Sequence, residues 1–207
     1  KRRANVHLKV DTGMGRIGVA AEEAAALAAF IENKCPSLHL QGVFTHLPVS
    51  DESDPTYTQQ QIERFKSVVD AIQRAIGRQV ELVHCANSGA VLAHSNGWLD
   101  LVRAGIMVYG HYPDAGTPRS IPLKPGLSFL TRVSFLKKVA AGTSIGYGRT
   151  WLAPQDTWIA TFSAGYADGF NRLLSNHGRV LINGRSYPIT GRVCMDQSMA
   201  DLGPETD

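Results

Sequence analysis

The sequence predicts an α/β region followed by a mostly β region, and three observations carry that expectation. Short apolar runs alternate with amphipathic segments through the first half, the rhythm of strand and helix units around a parallel sheet. Prolines and glycines then gather at Pro113, Gly116, Pro118, Pro122, Pro125 and Gly126, as they do between folded regions. Beyond that cluster helical periods are scarce and short strand signals multiply. The expected domains are therefore 1–120 and 121–207.

Residues 6–10, Val-His-Leu-Lys-Val, read as the first strand. Residues 22–34 are alanine-rich, contain no proline or glycine and stop before Pro36, so they read as a helix. Residues 38–46 return as a strand. From 57 to 76 the apolar residues Ile62, Phe65, Val69, Ile72 and Ile76 recur at spacings of three and four, which lays them on one helical face. Gly77 supplies the stop. Residues 80–84 and 102–109 are expected to be buried strands, with one or two helical turns near 88–92 between them. In the second half 129–139, 158–162 and 180–182 carry strand signals. The last of these runs into Asn183-Gly184, which suits the positive φ of a tight hairpin turn, and then into 185–189. The chain opens almost directly on one strand and closes soon after another, so a fragment is expected.

With 43% hydrophobic and 19% charged residues over 207 positions, the composition is that of a folded globular chain rather than a disordered one. No apolar stretch is long enough to cross a bilayer, and the basic start Lys1-Arg2-Arg3 is not followed by the apolar core of a signal peptide. Cys35, Cys85 and Cys194 are odd in number and widely spaced, which suits reduced thiols and a cytoplasmic location. A formal charge of +3, scattered along the chain, gives no reason to expect nucleic acid or membrane as a partner.

Three places combine glycine with reactive or charged side chains. In Lys9-Val10-Asp11-Thr12-Gly13-Met14-Gly15-Arg16 two glycines after a strand let the backbone turn and return Arg16 over the strand end. On pattern alone a tight loop with a solvated arginine is the better account. In His84-Cys85-Ala86-Asn87-Ser88-Gly89, followed by Arg103-Ala104-Gly105-Ile106, small residues, free N–H groups and the Ser88 hydroxyl suit a phosphate. Adjacent His84 and Cys85 without a second close pair do not match structural zinc spacing. A buried histidine and thiol are the plainer account of that pair. The third place, Gly146-Tyr147-Gly148-Arg149-Thr150, lets a phenol project from a loop, although a surface turn tyrosine is commoner.

Taken together, residues 9–18, 44–46, 84–88, 102–110, 146–150, 165–169 and 191–197 occur in the order and approximate spacing of alanine racemases, and the chain resembles that family over nearly its whole length. The resemblance implies an α/β fold, part of a (β/α)8 TIM-type barrel, followed by a mostly β domain. It implies pyridoxal 5'-phosphate as cofactor and a homodimer with active sites shared between subunits. The implied reaction interconverts L-alanine and D-alanine by two-base proton transfer, supplying D-alanine for peptidoglycan.

Matching positions to the family's motifs implies a role for each. Arg103 meets the pyridine nitrogen of the cofactor, and because it only donates it leaves that nitrogen unprotonated and the ring a weaker electron sink. Ser88, Gly105 and Ile106 form the phosphate cradle. Arg16 lies near the phenolic oxygen and the substrate, and Lys9 matches a position carbamylated in some members. Tyr147 is one of two opposed bases. A phenol, with a reference pKa of about 10, needs neighbouring positive charge to act so at neutral pH, and His46 bridges this tyrosine to Arg103. Met195 and Asp196 border the substrate, with Tyr166 at the way in.

One departure stands out. The family's other base is a lysine in a Lys-Ala-Asn-Ala-Tyr-Gly motif, and no such motif occurs in these 207 residues. The whole enzyme is expected to be active and this chain alone inactive. Alternatives are a serine or broad-specificity racemase and a non-catalytic relative that binds pyridoxal phosphate. A decarboxylase of the same barrel class would pair the ring nitrogen with an acid, against which Arg103 argues.

Overall fold

The computed structural model describes residues 3–205, which divide into two compact units, one up to Ser128 and one from Phe129. In the first unit β1 (Ala4–Asp11), β2 (Val19–Ala20), α1 (Ala24–Lys34), β3 (Leu38–Phe44), α2 (Thr56–Ile76), β4 (Leu82–His84) and α3 (Ser88–Ala93) follow in order. The strands make one parallel sheet in the order β2-β1-β3-β4. Alternation along β1 decides what each face does. Leu8 and Val10 are buried in a core with Leu40, Val43, Ile62 and Phe65. His7, Lys9 and Asp11 take the opposite face because successive strand side chains alternate.

The long helix forms where its periodicity places it. Ile62, Phe65, Val69 and Ile72 are all buried, and the helix ends where Gly77 adopts φ +71° and its N–H reaches the Gln73 carbonyl. The short α3 is capped by the Asn87 side chain, which accepts from the Ala90 N–H.

The expected strand over 102–109 is not a strand. A short 3₁₀ turn over Ile106–Tyr109 replaces it, and Val102, Ile106, Val108 and Tyr109 are exposed, Val108 to 70%. Backbone to backbone, the approach meets the sheet through single bonds, from Asp100 to Val83 and from Arg103 to Ala86, instead of a ladder. The apolar run gains neither a ladder nor a covering layer within this unit, and those are what make such a run a buried strand. Residues 121–128 also stay with the first unit rather than starting the second. Tyr112 donates to the Ile121 carbonyl and Gly126 N–H to the Tyr109 carbonyl.

The second unit holds β5 (Val133–Val139), β6 (Ser144–Ile145), β7 (Trp151–Leu152), β8 (Thr157–Phe162), β9 (Arg179–Ile182), β10 (Arg185–Pro188) and β11 (Ser198–Gly203). Antiparallel pairing orders the main sheet β11-β8-β5 and joins β9 to β10. Asn183 at φ +50° and Gly184 at φ +78° make that hairpin's turn. Phe162, Ile189, Val193 and Ala200 form one core here, and Val139, Ile145 and Ile159 share in another.

Phe65 is fully buried, so Phe65→Ala should destabilise the first unit by about 3–5 kcal/mol. Leu173→Ala, at a position 82% exposed, should stay within about 0.5 kcal/mol. Hydrogen exchange at β3 and β8 amides reads the two units separately. Protection of β3 unchanged by Phe65→Ala would contradict this packing.

Candidate active site

At the C-terminal end of β1 the chain turns on Asp11. Its carboxylate accepts from the N–H groups of Gly13 at 2.9 Å and Gly15 at 3.0 Å, and these backbone bonds hold the Asp11 carboxyl below its ordinary range. The α2 side chain Gln61 donates to the Thr12 carbonyl at 3.2 Å, and the Thr12 and Thr45 hydroxyls bond at 2.7 Å. The turn that carries Arg16 is therefore tied to both β3 and α2. Arg16 is exposed, and its charge acts on Lys9 and His46.

Arg103 lies at the ends of β3 and β4. Its Nη1 donates to His84 Nδ1 at 2.6 Å and its Nη2 to the Thr45 carbonyl at 2.7 Å. Longer contacts of 3.4 Å run from Nη2 to His46 Nδ1 and to the Cys85 carbonyl. The guanidinium also sits 5.3 Å from the centroid of the Phe44 ring. All of these partners are neutral, and among the described residues Arg103 forms no ion pair. Its positive charge is uncompensated.

The neighbouring groups respond to that charge and to burial. Burial first, then Arg103, His7 and Asp100 in turn set the His84 imidazole, and the net effect is a pKa lowered to about 4. Burial, then Arg103, Arg16 and Lys9, also hold His46 low. Lys9, whose Nζ donates to the Val10 carbonyl at 2.9 Å, is pushed down chiefly by burial, with Asp11 opposing and Arg103 and Arg16 assisting. Burial raises the Cys85 thiol to about 11, so it is an inert neighbour rather than a nucleophile.

A cavity of about 300 Å³ opens beside Arg103, lined among others by His46, Asn87, Ser88, Gly105 and Ile106. Ser88 is buried, and its Oγ accepts from the N–H groups of Gly105 at 2.8 Å and Met107 at 3.3 Å. With both acceptor positions taken, its own proton is left to donate to a further group. A Cβ at Gly105 would lie 3.5 Å from Ser88 Oγ, in the space such a group needs. A hydroxyl donor and an uncompensated cation, beside backbone that leaves room for a group at Gly105, fit a phosphorylated pyridine. The first unit thus brings together Lys9, Arg16, His46, Ser88, Arg103, Gly105 and Ile106.

The second unit carries the rest. Tyr147 opens a 3₁₀ turn between Gly146 at φ +74° and Gly148 at φ +73° and is 70% exposed. It borders a cavity of about 430 Å³ together with Lys137, Thr161, Cys194, Gln197 and Met199. The loops 165–169 and 191–197 are bonded backbone to backbone, from Tyr166 N–H to the Cys194 carbonyl at 2.9 Å and from Ala167 N–H to the Met195 carbonyl at 2.8 Å. Tyr166, Met195 and Asp196 are all exposed, and Arg172 lies 6.0 Å over the Tyr166 ring. Neither His84 nor His7 has a role among the residues expected at the site from the sequence, yet the structure places both rings behind Arg103. The missed signal is the alternation of His7 and Lys9 against Leu8 and Val10.

Two family models match the chain, "Alanine racemase, N-terminal domain" over residues 1–113 and "Alanine racemase, C-terminal domain" over residues 127–207. Among curated relatives, the alanine racemase of Chlorobaculum tepidum is 50% identical over 204 residues, covering 99% of this chain and 52% of the relative. That of Cutibacterium acnes is 47% identical, with 99% and 54% covered. The chain spans about half the length of the relatives it matches. Of solved structures, the biosynthetic alanine racemase from Pseudomonas aeruginosa is similar with a TM-score of 0.87 at 35% identity, over 100% of this chain and 56% of that one. The alanine racemase from E. faecalis gives 0.86 at 38% identity, over 99% and 54%.

The depressed His84 pKa makes stability depend on pH. Between pH 6.5 and about 4 the unfolded chain binds a proton at this ring that the folded chain refuses, so stability is lost as pH falls through that window. The loss should reach about 3 kcal/mol for this group, and His46 and His94 add to it with the same sign. Urea unfolding at a series of pH values should show a shallower acid loss in His84→Gln than in the parent. Equal slopes would mean that His84 does not carry the linkage.

Proposed function

The chain belongs to the alanine racemase family, and we propose on that footing that its whole protein is a pyridoxal-phosphate-dependent isomerase interconverting L- and D-alanine. The observation that carries this reading is Arg103, a half-buried guanidinium with only neutral partners, held beside the cradle of Ser88 and Gly105. A ring nitrogen placed against Arg103 is an acceptor and stays unprotonated. The bound cofactor supplies electron withdrawal from the α-carbon of the amino acid, and an unprotonated ring does so moderately, which suits a reaction that must return the proton.

This chain's own residues bind and move protons. The Ser88 hydroxyl would donate a hydrogen bond to the cofactor's phosphate, and the backbone at Gly105 and Ile106 would leave room for it. Arg16 adds positive charge from the loop that follows β1. The depressed Lys9 amine has an enlarged neutral fraction, the form that can bond carbon dioxide and release a proton, so Lys9 is a candidate for carbamylation. Tyr147 Oη takes the α-proton on one face of the substrate and returns it in the reverse direction. His46 accepts from Arg103 at Nδ1, which leaves its proton on Nε2 available to a phenolate oxygen. In this reading the phenolate comes from the partner subunit of a homodimer, Met195 and Asp196 border the substrate and Tyr166 guards access. D-alanine made in the cytoplasm would then serve peptidoglycan.

In the whole enzyme Tyr147→Phe should lower alanine racemisation by roughly a hundredfold to ten-thousandfold, with exchange of the α-proton for deuterium suppressed on one face far more than on the other. Near-parental rates in both directions would remove Tyr147 from the reaction. Parallel assays with serine decide the breadth of substrate, and failure to racemise either amino acid would overturn the functional reading.

A further inference from the structure

A guanidinium can only donate, so the 2.6 Å contact of Arg103 Nη1 with His84 makes Nδ1 of that ring the acceptor. A neutral imidazole with a bare Nδ1 carries its proton on Nε2. That proton faces His7 Nδ1, 2.8 Å away, which must be bare in its turn. Arg103, His84 and His7 thus form a chain of donors running in one direction.

The fold is arranged to put His7 there. β1 and β3 change register between Val6 and His7, so that His7 stands opposite Gly42, with one extra β3 residue bulged out. A Cβ at Gly42 would lie 2.5 Å from His7 Nδ1, so the ring occupies space that only glycine leaves. On its other side the His84 ring stacks on Phe44, centroids 5.1 Å apart and planes 8° from parallel. Stacking alone leaves that ring free to turn over in its own plane. Turned over, it would present carbon instead of nitrogen to Arg103 and to His7.

We propose that His7 is a positioning residue for the reaction: by accepting the Nε2 proton of His84 it holds that ring in the one tautomer and orientation that accepts from Arg103, and so aims the guanidinium into the cavity. The proposal deepens the assignment of Arg103 to the cofactor ring and rests on it for its catalytic consequence.

Nitrogen-15 NMR of the imidazoles tests it without cofactor. The parent protein should show His84 with a protonated Nε2 and a bare Nδ1, and His7 with a bare Nδ1. In His7→Asn the amide oxygen can take over as acceptor, whereas the nearly isosteric His7→Leu offers none. The His84 nitrogen resonances should hold their positions in His7→Asn and move toward averaged values in His7→Leu. In the whole enzyme kcat should fall roughly tenfold in His7→Leu, with KM little changed, and recover in His7→Asn. A proton on His7 Nδ1 in the parent overturns the proposal, as do unchanged His84 resonances in His7→Leu. Equal disturbance by Asn and Leu also overturns it, because packing rather than the acceptor would then be responsible. A parent protein with the expected tautomers but no racemase activity would refute the functional reading while leaving the positioning role of His7 intact.

Discussion

A cation held by neutral acceptors is the constraint from which the rest of the site follows. Even partial burial of a guanidinium without a carboxylate is costly unless its donors are matched, and the half-buried Arg103 is matched by the His84 ring, by the Thr45 and Cys85 carbonyls and by the face of Phe44. Those partners are available because β3 and β4 run parallel with Phe44 opposite His84. Their C-terminal ends therefore deliver two carbonyls and a ring to one place. A carboxylate among these partners would pair with the guanidinium and cancel its charge.

Burial first, and the same charge after it, hold His46 and His84 neutral and favour the neutral form of Lys9. Neutral histidines are directional, since each has one donor and one acceptor nitrogen. A cation that can only donate thereby sets the sense of the hydrogen bonds that run through His84 and His46. The backbone bond from Arg103 N–H to the Ala86 carbonyl brings Gly105 within reach of Ser88, so the cradle and the cation are placed by one short stretch of chain.

The second unit solves a different problem, that of presenting an exposed phenol from a defined loop. Tyr147 lies between two residues of positive φ, beside a cavity whose other walls come from β5, β8 and the loop leading to β11. Backbone bonds between the loops 165–169 and 191–197 give Tyr166, Met195 and Asp196 a common support while leaving their side chains in solvent. Such loops are carried by a rigid scaffold and supply the groups that meet ligands.

Local chemistry made much of this protein legible. The face of α2, its stop at Gly77 and the Asn183-Gly184 hairpin depend on residues a few positions apart, and each forms where the sequence placed it. The motifs around Lys9, Ser88, Arg103 and Tyr147 were readable as a set for the same reason, since each is a contiguous run. Tertiary structure alone decided the fate of 102–109, because an apolar run becomes a buried strand only if a neighbour pairs with it and a layer covers it. It alone decided the partner of His84 as well. Sequence places His7 and His84 77 positions apart, and only the pairing of β1 with β3 and of β3 with β4, with a bulge that moves His7 onto Gly42, brings the two rings into hydrogen-bond contact. Periodicity and turn propensity are set by near neighbours, whereas strand register, and with it the tautomer of a buried histidine, is set by residues distant in the chain.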